Sequence, residues 1–373
     1  MAVKASGSPL SFSEIETEFG QNSDRDLGEY RVSQTVGGLS NQPLDTSIPQ
    51  SGAIKFSDFY SKRLNVVIDY HSGSTENRPD DARTKYQAGS TSGNRTVIGG
   101  FKDRISGDSS GSKVRIHVNK TIGSAVGNVN NCAVRTGSFE TGTIVTVEVG
   151  SSGAIVGAGG NGGDGGSGDG GGSGSGQRNG ANGGNGSSAL GIQYSGTTVI
   201  NNGGSITAGG GGGGGGGYRK VEREENFGGP VRAAAGGGGG GGQGLPGGSP
   251  GSSGSGATSG TATAGGNGAQ GNTASTNGDT FVYGGGGGGG AFNGTGGEGG
   301  GGNSNDGGNG SSSKGGDGAQ GQHAGSIEGE NNVQGSGGTG GSNGAAIRRT
   351  SGITVNIPSL TGITGATDAT GVS

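Results

Sequence analysis

The sequence predicts a mainly β protein with three parts: a small N-terminal domain (residues 1–61), a β-sandwich-like domain (62–150) and a glycine-rich domain (151–373). The third part is expected to be a bundle of polyglycine II helices, framed by short β-strands and closed by a C-terminal β cap. Unbroken glycine runs at Gly209–Gly217, Gly236–Gly242 and Gly284–Gly290 point to the bundle. Only 25% of the residues are hydrophobic and none is Trp, so an ordinary core fits only in the first 150 residues.

The glycine runs can be ordered only through their backbone, because glycine has no side chain to bury and loses the most freedom on ordering. A flexible tether fits the composition equally well, but aromatic residues between the runs favour order. Collagen is excluded by the missing Gly-X-Y repeat, and a long α-helix by a propensity cost of ~1 kcal/mol per glycine. The remaining ordered form is a set of helices with three residues per turn that are hydrogen-bonded to one another. Pure runs suit central positions, and the mixed stretch 159–169 suits the rim.

The N-terminal part contains two similar stretches, Leu10–Ile15 and Ile54–Phe59, in which an extended piece is followed by Ser, an acid and an apolar residue. Ser13 and Ser57 are the predicted helix N-caps. So few apolar residues make this domain marginal by itself. We therefore expect it to dock onto another structure.

Residues 62–150 show the alternation typical of strands. The clearest case is Val114–Lys120, where Val114, Ile116 and Val118 should face inward and Arg115, His117 and Asn119 should face solvent. Further strands are predicted at Leu64–Tyr70, Thr96–Ile98, Cys132–Arg135 and Thr143–Val149. A small β-sandwich is the expected arrangement.

A motif recurs where the chain enters, interrupts and leaves the glycine block, at 142–157, 196–209 and 352–365. Each copy has a Val/Ile/Thr-rich run, a turn and a short apolar piece. Such copies predict stacked strands that frame the glycine bundle and seal its ends, as caps do in repeat proteins.

Several functional classes are disfavoured by composition. The net charge is −4 and no segment carries a basic stripe, which argues against nucleic-acid binding. No apolar stretch resembles a signal peptide or a membrane span, so we expect synthesis in a cytosol and no membrane insertion. Cys132 is the single cysteine, which excludes an intramolecular disulfide and a cysteine zinc site.

Catalysis, metals and cofactors are not expected. His71, His117 and His323 lie far apart in the sequence, and no catalytic motif is present. The stretch 159–164 approaches a calcium-binding nonapeptide, but that motif needs a large apolar residue where Gly166 stands. Asp164 and Asp169 are therefore predicted to be rim residues.

The best candidate surface is the charged stretch 218–232 between two pure glycine runs, together with aromatic residues beside the third run. Charged and aromatic loops on a rigid frame are typical of a recognition surface. The alternative is that Tyr218, Tyr283 and Phe292 plug the ends of the bundle. Both remain open at this point.

Glycine-rich segments entered by turns such as Asn201–Gly209 resemble bacteriophage tail fibre and adhesin proteins. The adhesins at fibre tips of T-even-like phages carry a polyglycine II sandwich whose variable loops contact the host receptor. The stretches Leu10–Gly20 and Ser51–Tyr60 are similar to the start of many structural proteins of marine and cyanobacterial phages. This chain differs from the tip adhesins in carrying its own leader and β-domain.

The resemblance implies a virion tail protein, made in the host cytoplasm, that binds a host cell-surface receptor such as a polysaccharide or an outer-membrane component. A homo-oligomer is expected, with a trimer as one option. The candidate receptor-binding residues are Tyr218, Arg219, Lys220, Arg223, Phe227, Arg232, Tyr283 and Phe292. The candidates for attachment to other tail or baseplate proteins are Phe12, Ile15, Phe19, Tyr30, Ile54, Phe56, Phe59 and Tyr60.

Two other functions fit the sequence. The chain could be a purely structural baseplate, tail or capsid-decoration component that contacts no receptor. It could also be an ice-binding protein, because polyglycine bundles can present flat faces.

Overall fold

The computed structural model describes residues 3–19, 27, 34–36, 39–42, 48–49, 52–62, 65–70, 75–76, 95–98, 113–166, 179–217, 219–223, 232–234, 236–252, 274–276, 279–282, 322–323, 330–334 and 336–372. These residues are mainly β, as predicted. Helix is confined, within them, to α1 (Phe12–Phe19) and short 3-10 turns such as Phe56–Phe59.

The strands in the first half of the described chain are β1 (Gln34–Val36), β2 (Leu39–Gln42), β3 (Asn65–Tyr70), β4 (Thr75–Glu76), β5 (Arg95–Ile98), β6 (Lys113–Val118), β7 (Thr121–Ser124), β8 (Cys132–Arg135), β9 (Ile144–Val149), β10 (Ala154–Val156), β11 (Ser188–Ile192), β12 (Thr197–Asn201) and β13 (Ser205–Thr207). Those that follow are β14 (Arg219–Arg223), β15 (Arg232–Ala234), β16 (Ala274–Thr276), β17 (Asp279–Val282), β18 (Gln322–His323), β19 (Glu330–Gln334), β20 (Ile347–Arg349), β21 (Val355–Asn356), β22 (Ile363–Thr364) and β23 (Ala369–Thr370).

Most of these strands form three stacks that the chain visits in turn, which makes a three-sided solenoid. The stacks run in the orders β21-β12-β9-β6-β3-β5, β22-β13-β10-β7-β4 and β23-β20-β11-β8. All neighbours within the stacks are parallel except β3 and β5, which pair antiparallel. One passage through the three stacks is one coil.

Aliphatic side chains at equivalent positions of successive coils build the solenoid core. Ile155 on β10 is in register with Ile122 on β7 and Ile206 on β13, and all three are fully buried. Leu190 pairs in the same way with Val134 and Ile347. Burying each such side chain contributes ~1.5–3 kcal/mol, so the ladders hold the coils together.

This topology corrects the predicted β-sandwich. The alternation of Val114–Val118 correctly indicates a strand, but alternation does not specify which strand becomes its neighbour. Here parallel neighbours come from successive coils instead of facing sheets. The expected boundary at residue 150 falls between β9 and β10, and both strands continue into ladders with β12 and β13. The recurring motifs do stack, as β9-β12-β21 and β10-β13-β22.

The predicted solvent exposure of His117 is also wrong, since its exposed fraction is 1%. His117 is in register with Glu148, which is itself 9% exposed. Arg115 lies 3.3 Å from a Glu148 carboxylate oxygen, and the Asn202 amide donates to the other oxygen at 2.7 Å. Polar side chains therefore pair with one another on this covered part of the outer face.

The leader packs α1 against the 3-10 helix. Ser11 caps α1: its N–H donates to the Glu14 carboxylate at 2.9 Å, and its hydroxyl accepts from the Glu14 N–H at 3.3 Å. The cap is thus Ser11 instead of the predicted Ser13, because the helix begins two residues earlier, at Phe12. Hydrogen bonding with Lys4, and then with Ser11, lowers the pKa of Glu14.

The 3-10 helix begins after Lys55, whose N–H donates to the Asp58 carboxylate at 2.8 Å. Ser57 lies inside the turn, so its predicted capping role is also corrected. The two stretches are joined by the Tyr60 hydroxyl, which donates to the Ser8 carbonyl at 2.8 Å, and by an edge-on pair of Phe12 and Phe56.

Six glycine-rich segments of the described chain lie side by side next to the solenoid. They are segments I (157–166), II (179–187), III (208–217), IV (236–243), V (246–252) and VI (336–346). Segments I and III continue directly from β10 and β13, whereas II and VI lead into β11 and β20. The bundle therefore grows out of one corner of two successive coils.

Backbone hydrogen bonds join the segments with a period of three residues. Gly160, Gly163 and Gly166 of segment I donate to Gly210, Gly213 and Gly216 of segment III at 2.7–2.8 Å. Equivalent series join I to II, IV and V, and join III to II, IV and VI. These partnerships arrange the segments in two rows, V–I–II and IV–III–VI, with each row packed in the grooves of the other.

Burial differs from segment to segment. Residues 209–217 and 236–242 are buried throughout, whereas Asn161 and Asp164 of segment I are exposed. A Cβ atom at Gly212 would lie 1.9 Å from the Asn161 carbonyl oxygen, and one at Gly239 would lie 2.0 Å from the Gly213 carbonyl oxygen. Such spacing leaves room only for a hydrogen atom, so these positions require glycine.

Candidate functional site

The far end of the bundle is the end away from the solenoid. Segment III starts beside the solenoid strands, where Gly209 bonds to Ser187, and reaches Gly236–Gly237 of segment IV at its other end. Nine residues at a rise of ~3.1 Å carry the chain about 28 Å. Segment III ends there, segment IV begins there and segment VI begins there.

A small antiparallel sheet joins these three segment ends. Strand β14 follows segment III, β15 precedes segment IV and β19 precedes segment VI, and their order is β15-β14-β19. We call residues 219–223, 232–234 and 330–334 the distal sheet. Its position follows from chain continuity, because a single residue separates each strand from its segment.

The distal sheet brings together four predicted receptor-binding residues. Arg219, Lys220 and Arg223 lie on the central strand, and Arg232 lies on β15 in register with Val221. The other four candidates, Tyr218, Phe227, Tyr283 and Phe292, lie outside the described residues. All four stay predicted binding residues, and plugging of the bundle ends stays the alternative for Tyr218, Tyr283 and Phe292.

Strand β19 is a component of the site that the sequence reasoning missed. Its register places Gln334 opposite Arg219, Asn332 opposite Val221 and Glu330 opposite Arg223. The only local signal is the polar stretch Glu330–Gln334 just before segment VI, and its pairing with β14 spans more than a hundred residues. A second antiparallel sheet, β16-β17-β18, is formed within residues 274–323.

The near end of the bundle is closed against the solenoid. The Leu245 carbonyl, in the turn between segments IV and V, accepts from the Ser124 N–H of β7 at 2.9 Å, and the Leu245 N–H donates to Gly157 at 2.9 Å. A Cβ atom at Gly123 would lie 2.5 Å from the Leu245 carbonyl oxygen. This contact fixes the turn on the strand.

Asparagine and aspartate side chains complete the hydrogen bonding at the rim. The side-chain oxygens of Asn182 and Asn185 accept the backbone N–H groups of Thr339 and Ser342 at 2.9 Å. Three further side chains do the same, namely Asn161 toward Ser249, Asp164 toward Ser252 and Asn179 toward Ser336. A rim segment lacks neighbours on one side, so these side chains replace the missing carbonyls. Asp164 thus takes a structural position on the rim.

The predicted attachment residues divide by burial. Ile15 and Phe59 are fully buried, and Phe12, Ile54 and Tyr60 are half-buried. Phe56 is 40% exposed. Phe19 ends α1, and Tyr30 lies outside the described residues. Among the members whose burial is described, Phe56 is therefore the most exposed.

The described residues contain no group of three or more His, Cys, Asp or Glu side chains placed to hold a metal ion. Within the same part of the chain, none of the helices combines the length and apolar character needed to cross a bilayer. Cys132 is buried in β8.

Comparison with known proteins identifies one family. The family model described as phage tail fibre adhesin Gp38 matches residues 85–280, which is more than half of the 373 residues. The chain matches no curated protein sequence at a significant level. It is similar to a chain in the crystal structure of the gp37–gp38 adhesin tip complex of the bacteriophage S16 long tail fibre. The identity is 17% and the TM-score is 0.37, with 98% of this chain and 100% of that chain covered. A TM-score of this size does not establish a shared fold.

Proposed function

This chain belongs to the phage tail fibre adhesin family Gp38, and from that premise we propose that it attaches the virion to the host by presenting its distal sheet and adjoining loops to a cell-surface receptor. A tail fibre adhesin is a structural protein of the virion tail. Such a protein acts by binding and not by catalysis, which agrees with the lack of a catalytic motif in the sequence.

The glycine segments serve, in this proposal, as a rigid platform of polyglycine II helices. The three-residue period of their hydrogen bonds supports this assignment, since that helix has three residues per turn. The described segment glycines also keep φ outside the left-handed region, as the polyglycine II conformation requires. Backbones hydrogen-bonded to one another in this way hold the end of the bundle away from the solenoid in a fixed position, with no core of buried side chains.

The observation that carries the proposal is the convergence of three segment ends on the distal sheet. The sheet is held about 28 Å from the solenoid, and its central strand contains three positively charged residues, Arg219, Lys220 and Arg223. Binding residues are commonly found on segments positioned by a stiff scaffold. The receptor is a polysaccharide or an outer-membrane component in this proposal.

The leader and the solenoid form the attachment side. Phe56 and its partner Phe12 offer an aromatic surface that another tail or baseplate protein could cover. We expect a homo-oligomer, with a trimer as one option, because several weak sites acting together raise the overall avidity.

Competition for adsorption tests the proposal. The purified full-length chain, mixed with host cells before infection, should slow adsorption of the parent phage. Replacing residues 224–231 with glycine and serine, while β14 and β15 are kept, should weaken this competition about tenfold or more, because few residues dominate a binding surface. The control L360S changes a residue that is 61% exposed on the last coil, and it should compete like the unmodified chain.

Two outcomes would contradict the proposal. If the unmodified chain leaves adsorption unchanged at saturating concentration, a purely structural role in the tail is favoured. If the loop replacement competes as well as the unmodified chain and also leaves host range unchanged, recognition does not involve this end of the bundle.

A further inference from the structure

The register of the distal sheet places three arginines on one of its faces. Residues at alternate positions of a strand share a face, and residues opposite one another in an antiparallel pair share it too. Arg219, Val221 and Arg223 of β14 therefore lie on the same face, and Arg232 of β15 joins them opposite Val221. We call this the arginine face.

The arginines form a triangle on this face. Arg219 and Arg223 are four residues apart on one strand, which is ~13 Å. Arg232 lies on the neighbouring strand, diagonal to both, at a Cα separation of ~7–8 Å from each. Val221 is at the centre of the triangle.

The third strand adds amide groups to the same face. Asn332 is opposite Val221 and Gln334 is opposite Arg219, while Glu330 is opposite Arg223. By register, this face thus combines three arginine positions with one acidic position. The other face of the same strands carries Lys220 and Glu222, whose charges balance. This contrast occurs in a chain whose net charge is −4.

Such a cluster calls for an anionic ligand. Arginine binds phosphate and carboxylate through paired N–H groups. Protein interfaces centre on aromatic and aliphatic anchors, whereas the aliphatic residues that the register places on this face are Val221 and the small Ala234. Amides beside arginines suit the hydroxyl and anionic groups of a charged sugar.

We propose that the arginine face binds an anionic cell-surface polysaccharide through its phosphate or carboxylate groups. This inference rests on the proposed receptor-binding function and names the class of ligand for that site. Val221 provides a small apolar floor for a sugar ring, Arg219, Arg223 and Arg232 bind the anionic substituents, and Asn332 and Gln334 bind hydroxyl groups.

Paired substitutions at neighbouring positions test the role of the face. R219Q and K220Q each remove one positive charge from the same strand but on opposite faces. Surface oligosaccharide released from the host strain is titrated into each full-length protein. R219Q should weaken binding about tenfold or more, the triple variant R219Q/R223Q/R232Q should abolish it, and K220Q should stay within about twofold. Equal thermal midpoints for all variants exclude a folding defect.

Chemical treatment of the same oligosaccharide separates the two anions. Loss of binding after removal of phosphate identifies phosphate as the ligand group, and loss after reduction of the carboxyl groups identifies carboxylate. Binding should also weaken with rising salt, since exposed charges are screened.

The inference would be overturned if K220Q weakened binding as much as R219Q, or if the oligosaccharide stripped of both anions bound as tightly as the native one. Adsorption competition by the unmodified chain is measured in parallel. If the chain blocks adsorption but does not bind the oligosaccharide, the receptor-binding function stands and the polysaccharide assignment falls.

Discussion

Single glycines decide whether two segments can approach each other. At Gly212 the missing side chain lets the Asn161 carbonyl oxygen come within 1.9 Å of where a Cβ would be, while Gly184 meets nothing closer than the Asn161 nitrogen at 3.0 Å. The two glycines belong to adjacent segments and contact the same residue. They therefore offer a matched comparison.

We predict that G212A destabilises the protein by about 3 kcal/mol, because two backbones would have to separate. G184A should cost under ~1 kcal/mol, since the small shift it needs is partly offset by the lower entropy of the unfolded chain. Thermal and urea unfolding measure both. Equal stabilities for the two variants would show that the close packing around Gly212 does not exist.

The sequence correctly indicates which positions of the bundle are central and which lie at the rim, but the predicted exposure of His117 is wrong. A side chain needs room, so Asn161 and Asp164 can stand only at the rim, and both are exposed. The burial of His117 depends instead on the next coil, where Glu148 lies in register with it and binds Arg115 and Asn202. A local alternation pattern does not include these partners.

Strands of the solenoid depend on their neighbours in the coils above and below. Ile155 on β10 is fully buried between Ile122 and Ile206, whereas Ile144 on β9 is 47% exposed. The two isoleucines lie on consecutive strands, so their substitution probes the ladder with the same chemical change.

We expect I155A to destabilise the solenoid by ~2–5 kcal/mol through the cavity it leaves, and I144A to change stability by ~0.5 kcal/mol. The urea midpoint at constant denaturant slope reports the difference. If I144A proved as costly as I155A, the inward and outward assignments of these strands would be incorrect.

The strand positions could be predicted from the sequence, but their arrangement could not. Val114–Val118 alternates whether its neighbour is parallel or antiparallel, so alternation alone does not distinguish a sandwich from a solenoid. Stacking of the recurring motifs was the better guide, because β9, β12 and β21 occupy equivalent places in successive coils. The distal sheet needed the pairing of β14 with β19, which no local pattern contains.

Over the whole molecule, order in the bundle depends on main-chain hydrogen bonds. In segment III, the amides of Gly212 and Gly215 donate to segment II and the amide of Gly213 donates to segment IV, at 2.8–2.9 Å. Buried, bonded amides exchange slowly with solvent. The exposed glycine Gly127 in the turn after β7 serves as a reference.

Hydrogen exchange of the full-length protein should therefore show strong protection at 209–217 and fast exchange at Gly127. The expected ratio of rates is at least ~1,000-fold, which corresponds to an opening free energy of ~4 kcal/mol. Exchange in segment III as fast as at Gly127 would mean that the segments do not form a lasting lattice, and the proposed platform would be lost.

The chain leaves the solenoid after β10 and β13, into segments I and III, and returns at β11 and β20. The strand ladders therefore fix both ends of each glycine-rich insertion, whatever its length. Because the bonding pattern repeats every three residues, a triplet added to each of two adjoining segments lengthens the projection by one helical turn, ~9 Å, and leaves every other bond in phase. Insertions and deletions in steps of nine bases, matched between neighbouring segments, are thus a natural route by which the reach of this arm can evolve.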